Sequence, residues 1–258
     1  WVNMFIQLKP YKDSSVLIGN DENNVILDEH ITMTQTIMFS AFKGPFEQRI
    51  DDWNAKLCMV SEVLEVWVIV QKSWQYLQPI FESADINRQL PIEGKKFAQV
   101  DKDWKSTMTN AKQANTRVIE FCDSEKLLDR FRNCDILLEQ VQKGLSDYLE
   151  TKRSVFARFY FLSNDELLSI LSESKEVTKV QPHLKKCFEG IDKVKFLDDL
   201  KIEKFISPEG EEILCSTPVD PVEKNVEAWM LELEAMMRIS LRDYMQGGIE
   251  EYAKISRG

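Results

Sequence analysis

The sequence predicts a mainly α protein: an elongated arch of packed long helices and helical bundles, with a small β-hairpin. Three observations predict it. Two apolar series, Phe46 to Trp74 and Leu127 to Tyr148, advance in steps of four and three residues, the spacing that holds side chains on one helix face. Glycine and proline are scarce, nine and eight in 258 residues, which suits long helices better than a many-turned β-sandwich. A composition of 43% hydrophobic and 29% charged residues supplies enough apolar side chain for a substantial core.

Taken in order, Ser15 to Gly19 is a short candidate strand, and the polar patch Asn20 to Asn24 caps a helix from about Glu22 to Phe39. After Gly44-Pro45, the positions Phe46, Ile50, Trp53, Leu57, Val60, Leu64, Trp67, Gln71 and Trp74 predict one long helix ending just before Pro79. At about 1.5 Å per residue, roughly thirty residues reach about 45 Å, beyond the core diameter of a small domain. Ser83 to Gln89 reads as a polar turn. Pro91 opens a helix with Phe97, Val100, Trp104, Met108 and Ala111 inward, and a short helix follows near Thr116 to Phe121. A second long helix spans about Ser124 to Arg153, and packing of the two long helices within a bundle is favoured over a coiled-coil dimer.

Val155 to Leu162, rich in aromatics, suggests an extended segment. Ser163-Asn164-Asp165-Glu166 has the capping-box spacing and starts a helix through Leu171. Pro182 opens another helix with Leu184, Phe188 and Ile191 inward. Lys204-Phe205-Ile206 and Glu212-Ile213-Leu214 flank the turn Ser207 to Glu211 as a hairpin. Val222, Val226, Trp229, Leu233, Met236, Met237, Leu241 and Tyr244 line a last helix that Gly247-Gly248 breaks. The weakest joints fall near Gly44-Pro45, Ser83 to Pro91 and Ser172 to Pro182.

Forty-three acidic against thirty-three basic side chains give a net charge of -10, with no Lys/Arg run longer than two. That argues against nucleic acid, anionic membrane and acidic filaments as direct partners. The longest strongly apolar stretch, Val66 to Val70, is far short of a membrane span. The chain opens at Trp1 without a start methionine or signal peptide, so a piece of a longer protein is expected. Five irregularly spaced cysteines make no disulfide framework and point to a reducing, intracellular setting with free thiols.

The search for chemistry returns structural readings. Gly94-Lys95 has Gln89 and Lys96 where a phosphate loop needs glycine and a hydroxyl, so it is a plain helix start. Gly144-x-Ser146 is followed by Tyr148 rather than the glycine of a nucleophile elbow. His183 and Cys187 share a helix face, but a zinc site needs three or four ligands and no further His or Cys is near. Cys58, Cys122 and Cys134 fall on or near apolar stripes and read as core. The acidic clusters Asp51-Asp52, Asp198-Asp199 and Glu209 to Glu212 read as solvated faces and turns. No catalytic, cofactor-binding or metal residue is assigned.

Gln71-Lys72-Ser73-Trp74-Gln75-Tyr76-Leu77-Gln78-Pro79-Ile80-Phe81 resembles the linker domain of dynein heavy chains, which there carries Gln, two residues, then Trp-x-Tyr-Leu. The same family is matched in the same order by Leu90-Pro91 with Phe97, Val100 and Trp104, by Lys143-Gly144-Leu145 with Tyr148 to Arg153, by Arg158 to Leu168, by Pro182 to Phe188, by Ser207 to Glu211 and by Val226 to Trp229. Ala157 departs from it, standing where proline is usual. Leu27 to His30, Thr34 to Thr36 and Pro79 to Phe81 are most similar to axonemal, ciliary heavy chains.

The resemblance implies that residues 1–258 are the central to C-terminal part of a linker, a lever that arches over an AAA+ ring and swings the tail as it bends and straightens. It places ATP and magnesium in the ring of the parent chain and none in this segment. Its partners would be that ring and, through the tail, other dynein subunits, with no direct microtubule contact, in the cytoskeleton of a cilium or flagellum. Trp229, Leu233, Met237 and Leu241 are the candidate ring-facing or coupling residues, since part of their stripe would meet another surface. The rival reading is a passive helical scaffold or tether, which would show repeats; none has a fixed period here. An enzyme active within these residues is a more distant third.

Overall fold

The four-and-three apolar spacing produces the helices it predicts. The computed structural model describes residues 4–113, 117–172 and 176–254. In chain order the elements are strands β1 (Gln7–Tyr11) and β2 (Ser14–Ile18), helices α1 (Asn20–Met38), α2 (Glu47–Phe81), α3 (Ala84–Gln89), α4 (Pro91–Gln113), α5 (Val118–Cys122), α6 (Glu125–Val155), α7 (Asn164–Ser172) and α8 (Gln181–Cys187), strands β3 (Lys193–Phe196), β4 (Ile202–Ile206) and β5 (Glu212–Val219), and helix α9 (Val226–Lys254). The fold is mainly α. Thr116, at the start of the short helix expected before Phe121, lies outside the described residues.

The chain divides into two units, Trp1–Glu82 with Leu90–Gly144, and Ser83–Gln89 with Leu145–Gly258. In the first, the aromatic stripe of α2 is the core. Trp67 lies against Phe121 and Phe131 (ring centroids 5.7 and 5.2 Å), Trp74 stacks on Trp104 (5.1 Å, 20°), and Phe81 stacks on Phe97 (5.2 Å, 16°). Large aromatic surfaces removed from water along one helix contribute strongly to the stability of this unit. Gly144 permits close approach of α4 to α6: a Cβ there would meet Glu93 Cγ at 2.6 Å.

The hairpin β1–β2 pairs Gln7 with Ile18 through Tyr11 with Ser14. Only β2 shows in the sequence, because Pro10, which lies opposite Ser15, hides the strand β1. In the second unit the sheet order is β3-β4-β5, all antiparallel. The expected hairpin is β4–β5, turned at Gly210 with φ 87, a conformation that favours glycine; β3 is an additional strand.

Five local expectations are corrected. Helix α2 runs past Pro79, with only Ile80 and Phe81 left to place, and the burial of Phe81 offsets the local cost of proline. Ser83 to Gln89 is not a turn but contains α3, which buries Ile86 and packs on α7. Val155 to Leu162 is not extended; it holds a 3-10 turn, Ala157–Phe161, fixed by buried Phe156 and Phe159 with rings 4.9 Å apart at 83°. The turn therefore forms without proline at Ala157. Gly247-Gly248 does not break α9, which continues to Lys254. Each glycine costs about 1 kcal/mol of helix propensity, but Gln246 donates to Glu250 (3.0 Å) across the pair and Lys254 bonds Glu251 (2.6 Å) in the next turn. Val222 lies ahead of that helix and is exposed.

Candidate functional site

The motif Gln71 to Phe81 is a clamp. Gln71 sits at a stripe position of α2 that faces the hairpin, and its amide completes the open edge of β2: Leu17 N–H donates to Gln71 Oε1 (2.6 Å) and Gln71 Nε2 donates to Leu17 O (3.0 Å). A side chain thus imitates a strand neighbour. One turn on, Trp74 Nε1 donates to Asp101 on α4 (3.0 Å), and Tyr11 of β1 meets the Trp74 ring edge-on at 5.6 Å. Lys105 holds Asp101 and Asp13 at 2.6 Å each, while Lys12 bonds Glu82 (2.7 Å) and Gln78. Hydrogen bonds and charge lower Asp13 and raise Lys105 from their ordinary values. These contacts tie the hairpin to α2 and α4.

The second unit repeats the device. Gln181, at the start of α8, makes the same reciprocal pair with β3: Val194 N–H to Oε1 (3.0 Å), and Nε2 to Val194 O (2.8 Å). The opposite edge, β5, is closed by α9, where Ser240 Oγ accepts from Ser216 N–H (2.9 Å) and Tyr244 accepts from Leu214 N–H (3.3 Å). Arg158 lies 4.9 Å over Phe188, donates to Cys187 O (3.1 Å) and faces Glu234 of α9 (3.5 Å). Lys152 pairs with Glu227 at the first turn of α9, their side chains only 12% and 10% exposed. Burial, with that carboxylate nearby, pushes Tyr148 up to about 12.

The capping box at α7 is complete, with Ser163 N–H donating to Glu166 (3.0 Å) and Glu166 N–H to Ser163 Oγ (3.3 Å). The bond from Lys186, then the Ser163 N–H, holds the Glu166 carboxyl at about 2 against an ordinary 4.5. A depressed carboxylate contributes stability above its unfolded value and loses it as pH falls through its folded value. The Glu166 contribution is therefore full above pH 4.5 and lost toward pH 2. Side-chain NMR titration should give a midpoint near 2 that rises in Lys186→Ala; a wild-type midpoint at 4.5 contradicts the pairing.

The sequence-assigned coupling residues separate by depth. Trp229 and Leu233 are buried inside the second unit, Met237 is half-buried and Leu241 is exposed. Direct contact by this face of α9 is thus open to Met237 and Leu241, not to the first two. Among the described residues no group of three His, Cys, Asp or Glu is arranged to hold a metal ion. No helix among them is long and apolar enough to cross a membrane. All five thiols are free, but Cys58 is exposed rather than core, because it lies on the outer side of α2. Burial pushes Cys122, Cys134 and Cys187 up to about 12 and Cys215 to about 11. Ellman's reagent should therefore modify one thiol of five in the native chain, Cys58, and the rest only on unfolding; rapid reaction of a second native thiol contradicts this burial pattern.

Residues 1–248 match the family described as dynein heavy chain, N-terminal region 2. Over its whole length the chain is 49% identical to dynein axonemal heavy chain 1 of Rattus norvegicus, 45% to dynein axonemal heavy chain 3 of Mus musculus and 41% to dynein axonemal heavy chain 12 of Mus musculus. It spans 6%, 6% and 8% of the length of those relatives.

Proposed function

Because this chain belongs to the dynein heavy chain family, we propose that it forms part of the linker of such a motor, a lever that couples rearrangement of an ATP-driven AAA+ ring to movement of the tail, in the axoneme of a cilium or flagellum. The observation that carries the reading is α6. The chain passes between the two units three times, after Glu82, after Gln89 and after Gly144; the first two crossings lie between helices and the third lies within α6, whose residues 125–144 belong to the first unit and 145–155 to the second. A continuous helix transmits force where a loop does not, the two non-helical crossings supply points at which the lever can bend, and each unit is held together by its own side-chain clamps.

On this reading ATP and magnesium act in the ring, and the isolated chain neither binds nor hydrolyses ATP; saturable stoichiometric binding by calorimetry would count against it. The ring of the same heavy chain is the principal partner, met through Met237 and Leu241, and other dynein subunits associate through the tail without microtubule contact by this segment. The test is gliding velocity and ATP turnover of the parent heavy chain carrying Met237→Asp with Leu241→Asp. Coupling predicts that velocity falls about tenfold, equivalent to about 1.4 kcal/mol, while basal turnover stays within about twofold. A passive scaffold predicts that neither changes. Leu233→Asp is unsuitable as a test, because a charge in that buried position unfolds the unit.

A further inference from the structure

We propose that the outer face of α1 is a docking site for a basic amphipathic helix from a separate polypeptide. Helix α1 meets the body of its unit through Leu27 and Thr34, which it buries, and packs on α2. On its outer side Glu22, Ile26, Glu29, Met33 and Ile37 step by four, three, four and four, and so form one stripe. Met33 is 59% and Ile37 52% exposed, and just beyond the helix Phe39 and Phe42 are 90% and 89% exposed. Ile37 also walls a groove of about 1050 Å³, shared with Phe46 and Trp53 of the α2 entrance. Exposed large apolar side chains aligned on one helix face beside a groove mark interaction surfaces.

Charge identifies the occupant. Asp21, Glu22, Asp28 and Glu29 lie along α1, which contains no Lys or Arg. None of the four pairs with a cation among the described residues, whereas Asp13, Glu82 and Asp101 in the same unit all do. A stripe in which the unneutralised carboxylates Glu22 and Glu29 alternate with Ile26, Met33 and Ile37 is complementary to a helix with large apolar side chains and Lys or Arg interspersed on one face. A second copy of this chain is disfavoured, since α1 would face its own negative charge and the whole chain carries -10. This site is independent of the lever reading, and its test needs no motor activity.

The probe is a fluorescein-labelled peptide of about eighteen residues, matched to the length of α1, with Leu and Phe on one face and Lys on its flanks. Its anisotropy is measured with the 258-residue chain against a scrambled peptide of identical composition. Saturable binding is expected, weakened about tenfold by Met33→Glu with Ile37→Glu, and made less salt-sensitive by Glu22→Gln with Glu29→Gln. These positions are exposed, and unchanged circular dichroism confirms that each variant is folded. Equal binding of the scrambled peptide, or insensitivity to all four substitutions, overturns the proposal. So does dimerisation abolished by the Met33 and Ile37 changes, which would make a second copy the occupant. Hydrogen-exchange protection of residues 26–37 in the purified full-length heavy chain, absent from the isolated chain, also overturns it by assigning the face to another part of the same molecule.

Discussion

Replacing Trp74 by alanine should destabilise the first unit by about 3–5 kcal/mol, a large share of the stability of a domain. The indole is fully buried, stacks on Trp104, receives the edge of Tyr11 and donates to Asp101, so truncation opens a cavity and removes two aromatic contacts at once. Asp101 is not orphaned, because Lys105 still holds it at 2.6 Å. The hydrophobic loss therefore dominates the polar one. Trp74→Phe, which keeps part of the stack but forfeits the donor and the rest of the buried indole, should cost about 1–2 kcal/mol. Trp53→Ala, on the same stripe but exposed, should lie within about 1 kcal/mol of wild type. Urea titrations, with hydrogen exchange at Leu17 reporting the first unit, give the comparison. A Trp74→Ala cost no larger than that of Trp53→Ala would refute the aromatic core assignment.

The second large effect concerns Lys152 and Glu227. Removing one partner of a buried ion pair strands the other charge, which costs about 3–5 kcal/mol, whereas replacing both by apolar residues is often nearly neutral. Lys152→Met should show the full cost, because Glu227 Oε2 already has no hydrogen-bond partner and the loss of Lys152 leaves the carboxylate without its cation. Lys152→Met with Glu227→Leu should recover most of it. The carboxylate also complements the N-terminal end of α9, so a residual loss of about 0.3–1 kcal/mol is expected in the double variant. Equal destabilisation in the single and double variants would mean that the site depends on packing of the Lys152 stem, not on charge pairing.

The helices were legible where burial follows periodicity. Leu57 to Trp74 and Leu127 to Leu145 are inward almost position for position, because hydrophobic burial is non-directional and follows spacing. At the start of the first series the rule fails: Phe46 and Trp53 are exposed because, among the described residues, no further element covers that end of α2. The clamps were not legible, since a reciprocal amide-to-strand contact such as Gln71 with Leu17 joins residues 54 apart and depends on tertiary placement. A glutamine at an apolar stripe position was the available signal, as was Gln181 directly before Pro182. Gly247-Gly248 and Pro79 misled for one reason: local propensity is worth about 1–3 kcal/mol, and context outweighs it near a helix end. Met237 and Leu241 share a periodic stripe with Trp229 and Leu233, and periodicity does not reveal where along a helix the cover stops.

The central claim, that this chain bends as a lever within a dynein heavy chain, is tested most directly by the distance between its two units in the parent motor. Dyes at Cys58 and at a cysteine replacing exposed Glu209 mark the first and second units. Energy transfer between them is then compared without nucleotide and with a trapped ATP analogue. The account predicts two distinct transfer efficiencies that interconvert on nucleotide exchange, and the same single efficiency in both states would contradict it.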